Sequence, residues 1–140
     1  MNAKERLAGM AHDSLDGMMI AYAQEAVRVA WSDHRQRLEL NEPSIDVLEA
    51  ILEGQADSDL EYQTKLWGGY FGEVLRAQFG GEWEMTEYPG ANFSVPTLRV
   101  AGSSLYPLMK VHRRLTMGES ESLTAFYQMI AVRLKKPTAN

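Results

Sequence analysis

A predicted helix with three internal glycines constrains the fold of this chain most strongly. From Leu60 to Phe79, apolar residues recur at the spacing of an α-helix, and Gly80-Gly81 follows as a predicted left-handed cap. Gly68, Gly69 and Gly72 lie inside this helix, where each glycine costs roughly 0.8–1 kcal/mol relative to alanine. Because glycine has no Cβ, it is retained where another backbone or a ligand approaches closely. The helix therefore predicts a special surface, but no particular activity.

The large side chains of this helix share one face of the helical wheel, with Gly68 and Gly72 beside it. They are Trp67, Tyr70, Phe71, Val74 and Leu75. Glu73 lies at the opposite margin, and Arg76 lies farther round with Gly69. On one interpretation, the glycines admit a neighbouring helix or hairpin, and Glu73 pairs with Arg76 or caps buried backbone groups. On the other, the glycine face is a groove for a ligand or partner, with Glu73 as its polar anchor.

The segments before this helix predict a helical pair. Apolar spacing favours one long helix from Ser14 to Leu40, with Asp13 or Ser14 as its N-cap. Asn41-Glu42-Pro43 breaks it, and Ser44 is the expected cap of a second helix that ends at Gly54. We expect the two helices to form a hairpin.

After Gly81 the apolar period changes towards the alternation of β-strands. Trp83 and Met85 alternate with glutamates, and Leu98 and Val100 flank Arg99, which predicts a hairpin around the turn 88–92. Trp83 and Leu98 should face the core, while Glu82, Glu84 and Arg99 should face solvent. Pro96 lacks a backbone donor, so it should lie on a sheet edge or at a bulge, and the second strand should be irregular near Val95.

Two helices complete the predicted fold. One runs from Tyr106 to Met117, with Pro107 in its first turn and Gly118 as its cap. The last runs from about Ser122 to Lys135, and Lys135-Lys136-Pro137 ends it. Its apolar stripe is Leu123, Phe126, Tyr127, Ile130 and Leu134. Met18, Met19 and Met129 lie on apolar stripes and are expected in the core. The sequence thus predicts a single α+β domain over residues 1–140, with a β-hairpin that another strand could extend.

Composition excludes several classes of protein. The 140 residues are 45% hydrophobic and 24% charged, as in one ordinary globular domain. Cysteine is absent, which excludes disulfides, thiolate nucleophiles and cysteine metal sites. The net charge of −5 argues against nucleic acid and anionic membranes as partners. The first residues lack the apolar core of a signal peptide and no apolar run is long enough for a membrane span, so a cytoplasmic location is expected.

No residue pattern points to a defined chemistry. His12, His34 and His112 lie far apart in the sequence, so we expect no metal site and no cofactor. Ser103-Ser104 lacks the glycines of a nucleophile elbow and is expected to cap a helix. Glu82 and Glu84 are expected on a solvated strand face, and no catalytic residue is assigned.

A short basic cluster lies on the helix that begins near Pro107. Lys110, Arg113 and Arg114 recur at three- and four-residue spacing, with His112 beside them. The cluster could bind a phosphate or an acidic partner, or it could be a solvated helix face. It is too small to favour nucleic-acid binding in an acidic chain.

The order of these segments resembles a loosely defined group of small bacterial proteins of unknown function. The resembling segments are the helical pair from Ala26 to Leu52 with Pro43-Ser44-Ile45 at its junction, Gly69-Tyr70-Phe71-Gly72-Glu73 leading to Gly81-Glu82-Trp83, and Tyr106-Pro107 followed by Phe126-Tyr127. Together they span about two-thirds of the chain. The resemblance brings no established activity, and some small bacterial proteins of this size act as accessory or toxin-neutralising partners.

From these observations we expect a bacterial accessory or immunity-type protein that binds a protein partner without chemistry. The expected contact residues are Trp67, Gly68, Gly69, Gly72, Glu73, Arg76, Lys110 and Arg113. The alternative is an enzyme with a small-molecule pocket at the glycine face and Glu73 as acid or base. An exposed apolar groove with satisfied carboxylates would favour binding, and a deep polar pocket around Glu73 would favour catalysis. The oligomeric state stays open.

Overall fold

The computed structural model describes residues 14–55 and 59–134. Expectations about Met1–Arg6, Asp13, His12 and Lys135–Pro137 lie outside these residues. The helices are α1 (Leu15–His34), α2 (Pro43–Glu53), α3 (Leu60–Phe79), α4 (Pro107–Met117), a short 3-10 helix (Gly118–Glu121) and α5 (Leu123–Leu134), and the strands are β1 (Glu82–Glu87), β2 (Ser94–Val100) and β3 (Ser103–Leu105). The predicted α+β class is confirmed, and β3 extends the hairpin.

Helix α1 ends six residues earlier than its apolar pattern predicts, at His34 instead of Leu40. Its start is as expected, because the Ser14 side chain accepts a hydrogen bond from the Gly17 N–H. At its end Arg35 has a left-handed backbone, and its N–H donates to the carbonyls of Ala30 and Trp31. Leu38 is buried as the pattern predicts, but from a non-helical segment, so apolar periodicity alone placed the end of the helix wrongly.

Helix α2 is capped by a different residue from the one predicted. The Asn41 side chain accepts hydrogen bonds from the Ser44 N–H at 3.1 Å and from the Ser44 hydroxyl at 2.8 Å. The Ser44 hydroxyl in turn accepts from the Glu39 N–H at 2.8 Å. The two helices also pack on different neighbours instead of forming the expected hairpin: α1 lies against α3, and α2 lies near α4 and α5.

The strands form an antiparallel sheet in the order β1-β2-β3. Trp83 lies opposite Leu98 with both side chains buried, and Glu82, Glu84 and Arg99 are exposed, which confirms the predicted faces. Pairing continues through Pro96 without the expected irregularity. β3 reaches only residues 98–100, so β2 has one strand neighbour at Pro96. Met85, opposite Pro96, alternates with the glutamates as the sequence pattern predicts but is exposed, and it lies beyond the three-stranded part of the sheet.

Helix α3 forms the centre of the core. Every residue from Leu66 to Leu75 is buried, and α3 packs against both α1 and α4. Its predicted bounds are confirmed, although Gly80 has positive φ with extended ψ and not a left-handed helical cap. Leu123, Tyr127 and Ile130 of α5 are buried as expected, but Met129 is half-exposed and is not core filler. Ser103 and Ser104 lie in β3, and neither side chain caps α4.

Candidate functional site

The three glycines of α3 each admit a different part of the fold. A Cβ on Gly68 would lie 2.8 Å from Leu108 of α4, and one on Gly69 would lie 2.7 Å from Tyr22 of α1. A Cβ on Gly72 would collide with the Trp83 ring of β1 and would also lie 3.3 Å from Pro107. These distances are shorter than ordinary van der Waals contacts. The prediction that the Gly68/Gly72 edge is a close-packing surface is confirmed.

Glu73 is buried, and its carboxylate holds the Trp83 ring beside Gly72 through a hydrogen bond. It accepts hydrogen bonds from Arg76 at 2.8 and 2.9 Å and from the Trp83 indole N–H at 2.8 Å. The expected pairing of Glu73 with Arg76 is therefore confirmed. Because the Trp83 ring fills the space beside Gly72, the glycine face is not an open groove there.

Five of the expected partner-contact positions therefore lie in the interior. They are Trp67, Gly68, Gly69, Gly72 and Glu73. As contact residues these positions are corrected by the structure, because they join α3 to α1, α4 and β1 and present no surface. Arg76 lies at the edge of the core and remains partly exposed.

The basic cluster of α4 is not a solvated face. Arg114 is buried and donates to Glu49 and Glu53 of α2, both at 2.7 Å. Lys110 is also buried and lies 2.9 Å from Glu121, while Arg113 lies 3.2 Å from the same carboxylate. Arg113 further donates to the Tyr88 hydroxyl at 2.7 Å. The cluster fixes α4 to its neighbours, so the solvated-face interpretation is wrong for Lys110 and Arg114, whereas Arg113 stays partly exposed.

Glu49 joins three helices at this point. Besides Arg114 of α4, it accepts hydrogen bonds from the Ser122 hydroxyl at 2.8 Å and the Thr124 N–H at 3.1 Å, at the start of α5. Burial raises the pKa of Glu49, but the hydrogen bonds from Thr124, Arg114 and Ser122 outweigh it, so the pKa lies below its ordinary value. The ionised carboxylate is thus the form that the fold stabilises.

Within residues 14–55 and 59–134, positive charge without a carboxylate partner is found in two places. The lysines and arginines of these residues that pair with carboxylates are Arg28, Lys65, Arg76, Arg99, Lys110, Arg113 and Arg114. Within the described residues, Arg35, Arg37 and Arg133 form no ion pair. Arg35 and Arg37 lie beside an exposed tryptophan, and Arg133 lines a groove.

The first place, which we name the Trp31 surface, consists of Trp31, Arg35, Arg37, Val27 and Leu38. Trp31 is 51% exposed, and the guanidinium carbons of Arg35 and Arg37 each lie 5.7 Å from the centre of its ring. A cavity of about 260 Å³ lies between Trp31, Arg37, Val27 and Leu38. In the part of the chain that the structure describes, the Trp31 indole N–H has no hydrogen-bond partner. The donor and the exposed half of the ring are therefore accessible to another molecule.

The second place, which we name the α4–α5 groove, lies between β3, α4 and α5 and encloses about 190 Å³. Lys110, Arg113 and Arg133 line it, together with Ser104, Tyr106 and Phe126. Two of the expected contact residues, Lys110 and Arg113, thus do line a surface depression.

Sequence reasoning did not single out Trp31. A signal was present, because Trp31 lies off the buried stripe of Met19, Ala26 and Ala30 and is followed by Arg35 and Arg37. A large aromatic outside the apolar stripe of a helix is a candidate for a contact. The α4–α5 groove has no comparable signal, because its residues extend from 103 to 134 and converge only in the folded chain.

Searches of protein-family models, curated proteins and solved structures find no match to this chain. The resemblance to small bacterial proteins of unknown function therefore stays a prediction. Among residues 14–55 and 59–134, no helix has the length and apolar character needed to cross a bilayer. The same residues contain no cluster of histidine, aspartate and glutamate suited to a metal ion.

Proposed function

We propose that this protein binds another protein without chemistry, as a bacterial accessory or immunity-type protein, and that the Trp31 surface is its contact. One observation carries the proposal: a half-exposed tryptophan stands beside two arginines that have no carboxylate partner within the described residues. Tryptophan and arginine are the residues most enriched at the energetic centres of protein interfaces.

The backbone that carries Trp31 and Arg35 is fixed in the fold. The Arg35 N–H donates to the carbonyls that end α1, and α1 packs along α3 in the core. A partner therefore has to order the two arginine side chains but not the backbone at Trp31 and Arg35. It would bury the Trp31 ring, accept the indole hydrogen bond and place carboxylates against Arg35 and Arg37. The partner surface is thus acidic around an apolar centre.

The interior supports binding over the enzymatic alternative. Glu73 is hydrogen-bonded to Arg76 and Trp83, and a general acid or base needs access to a substrate proton. A Glu73→Gln variant that keeps its fold but abolishes turnover in a metabolite screen would instead favour the enzyme.

The proposal is tested by capture of a partner followed by titration with the purified partner. Trp31→Ala should weaken binding at least about 30-fold, the loss typical of a central tryptophan. Met85→Ala is the matched control, because Met85 is 53% exposed on strand β1 and is not part of the Trp31 surface. Its Kd should stay within about twofold, as for residues outside an interface centre.

Two outcomes would overturn the proposal. Equal affinity of the Trp31 and Met85 variants for the captured partner would remove the Trp31 surface as the contact. Failure to find any saturable protein partner would remove protein binding as the function. The melting temperature of each variant is measured alongside, so that a loss of binding is separated from a loss of fold.

A further inference from the structure

We propose that the α4–α5 groove is a binding site for a small carboxylic acid with an apolar body. This site is separate from the Trp31 surface and does not depend on the proposed protein binding. The inference rests on the charge of the groove, its apolar floor and its size.

The charge of the groove is unbalanced. Lys110, Arg113 and Arg133 line it, and none of the described residues that line it is a carboxylate. Lys110 and Arg113 share the single carboxylate of Glu121, which does not line the groove. Arg133 forms no ion pair within the described residues. An anion in the groove would therefore meet excess positive charge, partly shielded from water.

The floor of the groove requires an apolar ligand body. Phe126, Ile130 and Leu134 of α5 line it, and Met129 is half-exposed at its side. The ammonium group of Lys110 lies 5.5 Å from the centre of the Phe126 ring, so charge and aromatic surface adjoin. A bare inorganic anion would leave this apolar surface in contact with water. A purely apolar molecule would desolvate the cations without a partner.

The volume of the α4–α5 groove limits its ligand to a small molecule. A volume of about 190 Å³ equals roughly six molecules of liquid water at about 30 Å³ each. This accommodates an aryl group or a short alkyl chain but not a folded element of a partner. The anionic head would be placed by Arg133 and Arg113, with the Ser104 hydroxyl as a further donor.

Two of the three cations that line the groove, Lys110 and Arg113, are held in place before a ligand arrives. Arg113 donates to both Glu121 and the Tyr88 hydroxyl, and Lys110 is fixed by Glu121. Such fixed donors lower the entropic cost of binding. Arg133 makes no such contact within the described residues, so its replacement tests the site without removing a structural bond.

The test uses 3-phenylpropionate as the probe and 3-phenylpropan-1-ol as its uncharged match, titrated into protein with 13C-labelled methionine methyl groups. The acid should saturate and shift the Met129 methyl signal, while the Met85 signal stays unchanged. The alcohol should bind at least about tenfold more weakly, because it lacks the charge-assisted hydrogen bonds.

Variants locate the site. Arg133→Gln should weaken 3-phenylpropionate binding about tenfold, the loss of one charge-assisted contact. Arg35→Gln is the matched control: it removes an equally unpaired cation at the Trp31 surface and should leave affinity within about twofold. Trp31→Ala should also leave probe binding unchanged, which separates this proposal from the protein-binding function.

Other results would overturn the proposal. Equal affinity for the acid and the alcohol would show an apolar groove without anion selectivity. Displacement of the probe by inorganic phosphate at similar concentration would show a general anion site. Binding of an acetylated peptide that ends in phenylalanine, without binding of the free acid, would make the groove a peptide site. Equal weakening by Arg133→Gln and Arg35→Gln would show only long-range attraction.

Discussion

The tryptophans of this chain show how its interior and its surface differ. Trp67 and Trp83 are buried, and their indole N–H groups donate to Gln63 and Glu73 respectively. Trp31 is half-exposed, and its donor has no partner in the described part of the chain. In the interior, the tryptophan rings are buried and their N–H groups are hydrogen-bonded. At the end of α1, half of the Trp31 ring is exposed and its N–H group has no partner among the described residues.

The arginines repeat this difference. Arg114 is buried between Glu49 and Glu53, and Arg76 is bound to the buried Glu73. Arg35 and Arg37 lie over the Trp31 ring, and neither forms an ion pair among the described residues. Similar residue types therefore stabilise the fold in one region and remain free for a partner in another. An arginine that stabilises the fold is therefore distinguished from one available to a partner by its hydrogen bonds and not by its residue type.

The largest expected effect tests how full the interior is. Gly72→Leu should lower the free energy of unfolding by about 3 kcal/mol, because the new side chain would overlap the Trp83 ring and Pro107. Gly54→Ala is the control, because its Cβ would lie 3.9 Å from the nearest atom, the Ile51 carbonyl oxygen. Its stability should stay within about 0.5 kcal/mol of the parent. Urea unfolding measures both, and an unchanged Gly72→Leu curve would show unused space beside α3.

The bounds of α3 could be predicted from sequence because local signals agree there. The apolar spacing ends where Gly80-Gly81 begins, and the structure ends the helix at Phe79. The end of α1 could not be predicted in this way, because Leu38 continues the apolar spacing in a segment that is not helical. The left-handed residue that ends α1 is Arg35, and a positive φ at arginine has no clear sequence signal.

The next effect concerns a polar group of the interior, Glu49. Glu49→Gln should lower the free energy of unfolding by about 2 kcal/mol at pH 7, since it weakens charge-assisted hydrogen bonds with Arg114, Ser122 and Thr124. Its pKa is lowered in the folded state. The stabilisation is therefore complete above the unfolded-state pKa of about 4.3 and is lost as the pH falls through the lower folded-state value.

Melting curves from pH 7 to pH 3 measure this dependence. The difference in melting temperature between the parent and Glu49→Gln should decrease as the pH falls towards 3, because both proteins then carry an uncharged side chain at this position. Glu53→Gln is the matched control: Glu53 also binds Arg114 but is half-exposed. Its cost should be about 0–1 kcal/mol. A difference in melting temperature that stays constant down to pH 3 would contradict the lowered pKa of Glu49.

The candidate site was less predictable than the fold, for a physical reason. Glycines and aromatics in α3 indicated close approach, but the sequence could not distinguish an approaching ligand from Leu108, Tyr22 or Trp83 of the same chain. The basic spacing on α4 did not show that Glu49 and Glu121 would pair with it. Both ambiguities depend on contacts between residues distant in sequence, which local periodicity does not report.

The smallest expected effect on stability concerns Trp31, the exposed tryptophan at the end of α1. Trp31→Phe should change the free energy of unfolding by less than about 0.5 kcal/mol, yet it should remove most of the fluorescence that iodide quenches. Trp67 and Trp83 are only 0% and 6% exposed, so Trp31 supplies the accessible emission. Replacement of Arg35 and Arg37 by glutamine should decrease quenching by iodide and increase quenching by caesium, because the two guanidinium groups attract anions to this ring. Iodide quenching that survives Trp31→Phe would mean that a buried tryptophan is reached by solvent, and the contrast between the two regions would then fail.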